Sequence, residues 1–230
     1  QAQEAQTVRT PVVHALGIVG ERDAVYSYTR AMLANFAVFH APIDAKIYVI
    51  AARQREWEWA FELPHCQGGE QRTLCCFLDT IAEDEDGAPQ SSLEDEEQPL
   101  VIFMEGLRRE LAQRRLQLEE HDENNQSASA TPALPLLLVV IDLLDAAYDD
   151  QSPLRDIEND AALSILLDAG PILGASVLFL APDRRKAPTR CNAVIEVEKT
   201  APAANRKSQQ RPEPSLPLCR NRCQLMALCR

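Results

Sequence analysis

Residues 12–23 read Val-Val-His-Ala-Leu-Gly-Ile-Val-Gly-Glu-Arg-Asp, and this stretch decides the fold. A largely apolar run ends in glycine and then turns charged. That is the signature of a buried strand closing on a turn into a helix. Over residues 23–39, apolar or small side chains recur at Ala24, Val25, Tyr28, Met32, Leu33, Phe36 and Ala37, which is helical spacing. Pro42 stops that helix. Residues 46–51, Lys-Ile-Tyr-Val-Ile-Ala, form a second strand. Strand, long helix and strand make a βαβ unit, whose strands run parallel.

The same alternation continues outward. Residues 54–61 read as a short helix, Gly68-Gly69 as a turn and 72–78 as a third strand. Residues 100–120 are a long helix, with Leu100, Ile102, Phe103, Leu107, Leu111 and Leu118 on its apolar side. Residues 136–141, Leu-Leu-Leu-Val-Val-Ile, are a continuous apolar run of the kind a parallel strand covered on both faces requires. A helix over 154–169 closed by Gly170, a buried strand at 175–180 and an edge strand at 193–197 complete the set. The expected class is α/β: an open, mainly parallel sheet with helices on both faces, like a nucleoside-triphosphatase fold whose phosphate loop has degenerated.

The flanks differ in composition. Residues 1–10 are polar and read as a flexible N-terminus, leaving 11–199 as the domain. Eight acids fall between Glu83 and Glu97, so residues 82–98 read as a disordered acidic insertion. From about residue 200, Pro202, Pro212, Pro214 and Pro217 among Lys, Arg, Gln and Ser mark a linker or tail. The 230 residues carry a net charge of −12, which argues against non-specific nucleic-acid binding, although Arg108, Arg109, Arg114 and Arg115 form a local basic cluster. The seven cysteines match no secreted disulfide framework or metal-ligand spacing, so reduced thiols are expected. No apolar run reaches the ~20 residues of a membrane span. The chain starts without Met and is expected to be a piece of something longer.

In such sheets ligands bind beyond the carboxyl ends of the strands. The first such end holds Gly17, Gly20, Glu21, Arg22 and Asp23, without the Lys and Ser/Thr of a phosphate loop. Glu21 and Asp23 suit the positive helix end but repel phosphate. A surviving nucleotide site would use Gly17, Gly20, Arg22 as phosphate contact and Asp142 as magnesium ligand at the end of the apolar strand. No catalytic residue and no resident metal site is assigned. Trp57, Trp59, Pro64 and His65 lie in one unusual string. It reads either as core packing with a rigid turn or as a docking surface for a neighbouring domain. His14 reads as structural.

Several of these strings together resemble one family. The order runs Leu16-Gly17-Ile18-Val19-Gly20-Glu21-Arg22, Thr29-Arg30-Ala31, His40-Ala41-Pro42, Trp57-x-Trp59, Leu63-Pro64-His65, Leu138-Val139-Val140-Ile141-Asp142 and Leu173-Gly174-Ala175. It is similar to the FtsK/SpoIIIE-type ATPases of type VII secretion, the EccC/EssC family, and to their ATPase-like domain just before the first ATPase module. Ala41 departs from the family's usual His-Ser-Pro string. The resemblance covers about residues 10–198. It implies a non-catalytic domain that couples or regulates adjacent ATPase modules during protein export. It also implies a parent anchored at the cytoplasmic face of the membrane by N-terminal helices. Such a parent is a homo-oligomer that uses ATP and magnesium in its other modules, and the excised domain would be a monomer without a cofactor. The partners would be neighbouring domains and subunits, not nucleic acid. Two alternatives stay open: a true nucleotide-binding ATPase with an altered loop, and a DNA-translocase accessory domain.

Overall fold

The structure is a computed structural model and describes residues 13–68, 73–79, 99–124, 134–149 and 152–198. The polar N-terminus, the acidic insertion and the tail beyond residue 198 lie outside the described residues. Six strands form one sheet: β1 (Ala15–Gly20), β2 (Ala45–Ala51), β3 (Cys75–Phe77), β4 (Leu136–Asp142), β5 (Ala175–Ala181) and β6 (Ala193–Val197). The spatial order is β3-β2-β4-β5-β1-β6, and every pairing is parallel. Three helices cover it: α1 (Arg22–Phe39), α2 (Pro99–Asn124) and α3 (Ala161–Ala169).

The order explains the layers. The β1-to-β2 crossover runs one way along the sheet, while β3-to-β4 and β4-to-β5 run the other way. Right-handed crossovers therefore put α1 on one face and α2 and α3 on the opposite face. The two cores follow suit. Val25, Tyr26 and Leu33 of α1 pack with Leu138 and Val140 of β4. Leu107, Leu111, Leu163 and Leu166 pack with Val139 and Ile141 from the other side of the same strand. Both faces of β4 are thus buried, which is why its sequence does not alternate.

Four local expectations are corrected. The third strand is only Cys75–Phe77, paired to β2 on one side. The helix expected over 154–169 begins at Ala161, because Asp160 caps it by accepting from Ala162 N at 2.7 Å. The residues before it turn instead, with a 3-10 segment at Ile157–Asn159. On α2 the buried side is Leu100, Met104, Leu107, Leu111 and Arg114, and Ile102 is 56% exposed. Gly170 follows α3 in right-handed conformation, not the left-handed one of a glycine cap. Glycine is needed there for close approach: a Cβ would lie 2.4 Å from the Leu166 carbonyl oxygen. No described helix is long and apolar enough to cross a membrane.

Candidate functional site

The carboxyl edge of the sheet brings together the ends of β1, β4 and β2. α1 starts directly after β1, so Arg22 and Tyr26, one turn apart, look over this edge. Asp142, the last residue of β4, is 4% exposed. Its Oδ2 accepts from the Tyr26 hydroxyl at 2.8 Å and from Trp57 Nε1 at 2.9 Å, and its Oδ1 accepts from Leu144 N at 3.0 Å. Burial raises the Asp142 pKa above the usual carboxylate range, opposed by these three donors. Burial and the neighbouring carboxylate likewise push the Tyr26 hydroxyl up, so it stays a donor. Tyr26 meets the Trp57 ring edge-on at 6.3 Å. One side chain from α1, one from the turn after β2 and one from β4 therefore close a buried clasp.

A second, more open link lies above it. Arg22 donates from both terminal nitrogens to the two carboxylate oxygens of Asp145, with Nη1 3.1 Å from Oδ2. This fork raises the Arg22 pKa further. Arg53, after β2, adds its Nε 3.4 Å from Asp145 Oδ2. Other acids beyond the strands are also committed to main-chain N–H groups. Asp79 accepts from Gln54 N at 2.9 and 3.0 Å, and Asp183 from Arg185 N at 2.7 Å.

The candidate nucleotide residues thus come to one edge only in part. Gly17 is not in the turn. It lies inside β1, where Val194, Cys191 and Ala187 pack over it. Gly20 is in the turn with φ +146°, and a Cβ there would stand 2.2 Å from the Val197 carbonyl oxygen. Its role is close contact with the edge strand β6. Asp142 is sealed in the core, with both of its oxygens accepting hydrogen bonds. Arg22 is at the edge, held by Asp145.

The docking string divides too. Trp57 is 1% and His65 4% exposed, which fits the core-packing reading of these two residues. His65 Nε2 donates to the His40 carbonyl at 2.8 Å, tying the string to the end of α1. Trp59 stacks on Trp57 at 5.8 Å, donates to the Glu56 carbonyl and stays partly open, while Pro64 is exposed. The larger apolar exposure lies nearby at the end of α1: Val38 79%, Phe39 72% and Ile43 79%. His14 is structural, bonded to the Leu167 carbonyl at 2.9 Å.

The arginine cluster on α2 is not a free basic patch. Arg108 and Arg109 pair with Glu105 at 2.7 and 3.1 Å, and Arg115 with Glu119 at 3.0 Å. Arg114 is buried, pairs with Glu110 and donates to the Pro135 and Leu173 carbonyls. Among the described residues, no group of three or more His, Cys, Asp or Glu is placed to hold a metal ion.

The Tyr26–Asp142–Trp57 clasp was not foreseen. Its members are far apart in sequence, and each has an ordinary local explanation: core aromatic, strand-ending acid, core tryptophan. The only signal was an acid closing a strand buried on both faces, which must find donors.

No protein-family model matches the chain. Over 141 residues, 57% of its length, it is 30% identical to the ESX secretion system protein EccC of Thermomonospora curvata, of which it covers 8%. Its fold is similar to the cytoplasmic domain of EssC, with a TM-score of 0.54, 16% identity, and coverage of 80% of this chain and 32% of that one. It is also similar to EssC ATPases 2 and 3 from Geobacillus thermodenitrificans, with a TM-score of 0.53, 16% identity, and coverage of 77% and 30%. The cytoplasmic domain of the Thermomonospora curvata Type VII Secretion ATPase EccC matches with a TM-score of 0.52, 14% identity, and coverage of 79% and 20%. At those identities the structural likeness speaks of fold alone. The chain spans a third or less of each of these relatives. Sequence and fold together bear out the resemblance to the EccC/EssC type VII secretion ATPases.

Proposed function

We propose that this chain is a non-catalytic, ATPase-like domain of a membrane-anchored FtsK/SpoIIIE-type secretion motor. It lies before the first ATPase module and couples or regulates the modules beside it. One observation carries the non-catalytic part: the edge where a nucleotide would lie is closed from within. Arg22, the candidate phosphate contact, is forked onto Asp145, and Asp142 is sealed under Trp57 and Tyr26. The turn after β1 and the first turn of α1 carry Glu21 and Asp23 where a phosphate loop and its helix start carry Lys and Ser or Thr. These residues do not fit a magnesium nucleotide. Binding would break the Arg22 fork, place phosphate beside two acids, and leave magnesium without an open carboxylate.

The similarity to EccC supports placing the chain in a secretion motor. The exposed group Val38, Phe39 and Ile43 gives a neighbouring module of the same parent an apolar surface to cover. The balanced charges on α2 favour protein partners over nucleic acid.

Calorimetric titration with magnesium ATP, together with a hydrolysis assay, tests the reading. The expected result is no heat and no turnover at millimolar nucleotide. Micromolar binding that disappears in Arg22→Ala would overturn it and favour an ATPase with an altered loop. Binding that appears only when Asp145→Asn releases Arg22 would support a site closed by that ion pair.

A further inference from the structure

We propose that the apolar residues within 216–228 of this chain dock in cis on the outer side of α1, over Val38, Phe39 and Ile43, and so mask the surface a neighbouring module would use. α1 turns Val25, Tyr26, Thr29 and Leu33 to the sheet. The second half of its outer side lacks the charged face of an ordinary surface helix. No Asp, Glu, Lys or Arg falls between Arg30 and Asp44. Ala31 and Ala34 are exposed there, and the large apolar side chains of Val38, Phe39 and Ile43 follow them into solvent. By contrast, Val101, exposed at the start of α2, shares its groove with Glu105, Arg108 and Arg109. An apolar surface without interspersed charge is the kind a folded partner covers.

The register of the sheet brings the occupant to this face. β6 pairs in parallel with β1 and sets Val197 opposite Gly20. The chain therefore leaves β6, after Glu198, beside the start of α1. α1 has 18 residues, which makes it about 27 Å long. At ~3.3 Å per residue, about nine extended residues cover that length. Leu225 stands 27 positions beyond Glu198, so its reach is ample. The chemistry matches at both ends of the helix. Glu21, Asp23, Glu196 and Glu198 are exposed around the exit. Residues 199–230 carry seven Lys or Arg against one acid, Glu213. Their large apolar residues, Leu216, Leu218, Leu225, Met226 and Leu228, all come after Arg211. The basic part thus meets acids at the start of α1, and the apolar part meets its uncharged end.

Tethering decides between this segment and a second copy of the chain. A flexible tether holds the segment at an effective concentration on the order of 1 mM. A second copy in a solution of about 10 µM is roughly a hundredfold more dilute, so the tethered contact wins at equal strength. A neighbouring module reaches the face only by displacing the segment, which makes the contact an internal brake on docking. That masking role rests on the docking reading above, whereas the contact itself does not.

The test places the photo-crosslinker p-benzoylphenylalanine at position 39 of the full chain, where Phe39 is exposed and its replacement leaves the core intact. An equal mixture of heavy-isotope-labelled and unlabelled chain is irradiated, digested with trypsin and mapped by mass spectrometry. Trypsin releases the probe in peptide 31–46 and the segment in peptides 208–220 and 223–230. Peptide 31–46 should appear joined to 208–220 or 223–230 of the same isotope only. The Leu225→Asp, Leu228→Asp double variant should lose that product. Absence of any cross-link to 208–230 would overturn the proposal. So would mixed-isotope products, which identify a second copy as the occupant. Neither result bears on the nucleotide titration, so failure here leaves the proposed function standing.

Discussion

Replacing Trp57 by Phe removes the indole donor from Asp142 and leaves a ring in place. The carboxylate is 4% exposed, so water does not replace the lost bond. A hydrogen bond to a buried charged group contributes about 1.5–3 kcal/mol. The smaller ring costs a further ~1 kcal/mol of packing against Tyr26 and Trp59. With the carboxyl ionised, the expected destabilisation is therefore about 2.5–4 kcal/mol, or roughly 5–15 °C in Tm for a chain of this size. Urea unfolding followed by far-ultraviolet circular dichroism measures it. The pH dependence carries the sharper signature. Burial raises the folded-state pKa of Asp142 above its unfolded value. Its stabilising contribution is therefore present below the unfolded pKa and lost as pH rises through the folded one. Removing a donor raises the folded pKa further. The deficit of Trp57→Phe is then full above the folded pKa and shrinks as acid protonates the carboxyl. A deficit that stays constant or grows on acidification would refute a carboxylate clasp at this position.

Two further substitutions probe the frame around the site. Gly20→Ala places a Cβ against the Val197 carbonyl oxygen at a positive φ, and should cost at least ~1–3 kcal/mol. Hydrogen exchange should then quicken first in β6, the strand that must move aside. Arg114→Ala leaves the Pro135 and Leu173 carbonyls without their shared donor. A loss of about 2–4 kcal/mol is expected in urea unfolding, and Arg114→Lys should recover only part of it, because one ammonium cannot reproduce the guanidinium fork.

The frame of this fold was legible because it rests on local patterns. The apolar run ending at Gly20, the helical spacing to Phe39 and the continuous run of β4 are each set by a few adjacent residues. Together they force a parallel sheet with two covered faces. The boundary errors had local causes too. Asp160 captured the start of α3, and β3 shortened to the three residues that reach β2. Ile102 is exposed despite its apolar side chain, because only the sheet's position decides which side of an apolar helix start is covered.

The site was less legible because its chemistry depends on partners far along the chain. The sequence alone determined that the turn after β1 lacks Lys and Ser or Thr and carries Glu21 and Asp23 instead. It also determined that Asp142 ends a buried strand. Only the tertiary structure decided what those residues do. Trp57 crosses to Asp142 from 85 positions away and Arg22 reaches Asp145 from 123, contacts that no local pattern encodes. An acid at the end of a strand is open to magnesium or sealed as a structural bond according to whether donors surround it. Here the fold supplies three donors and removes the water.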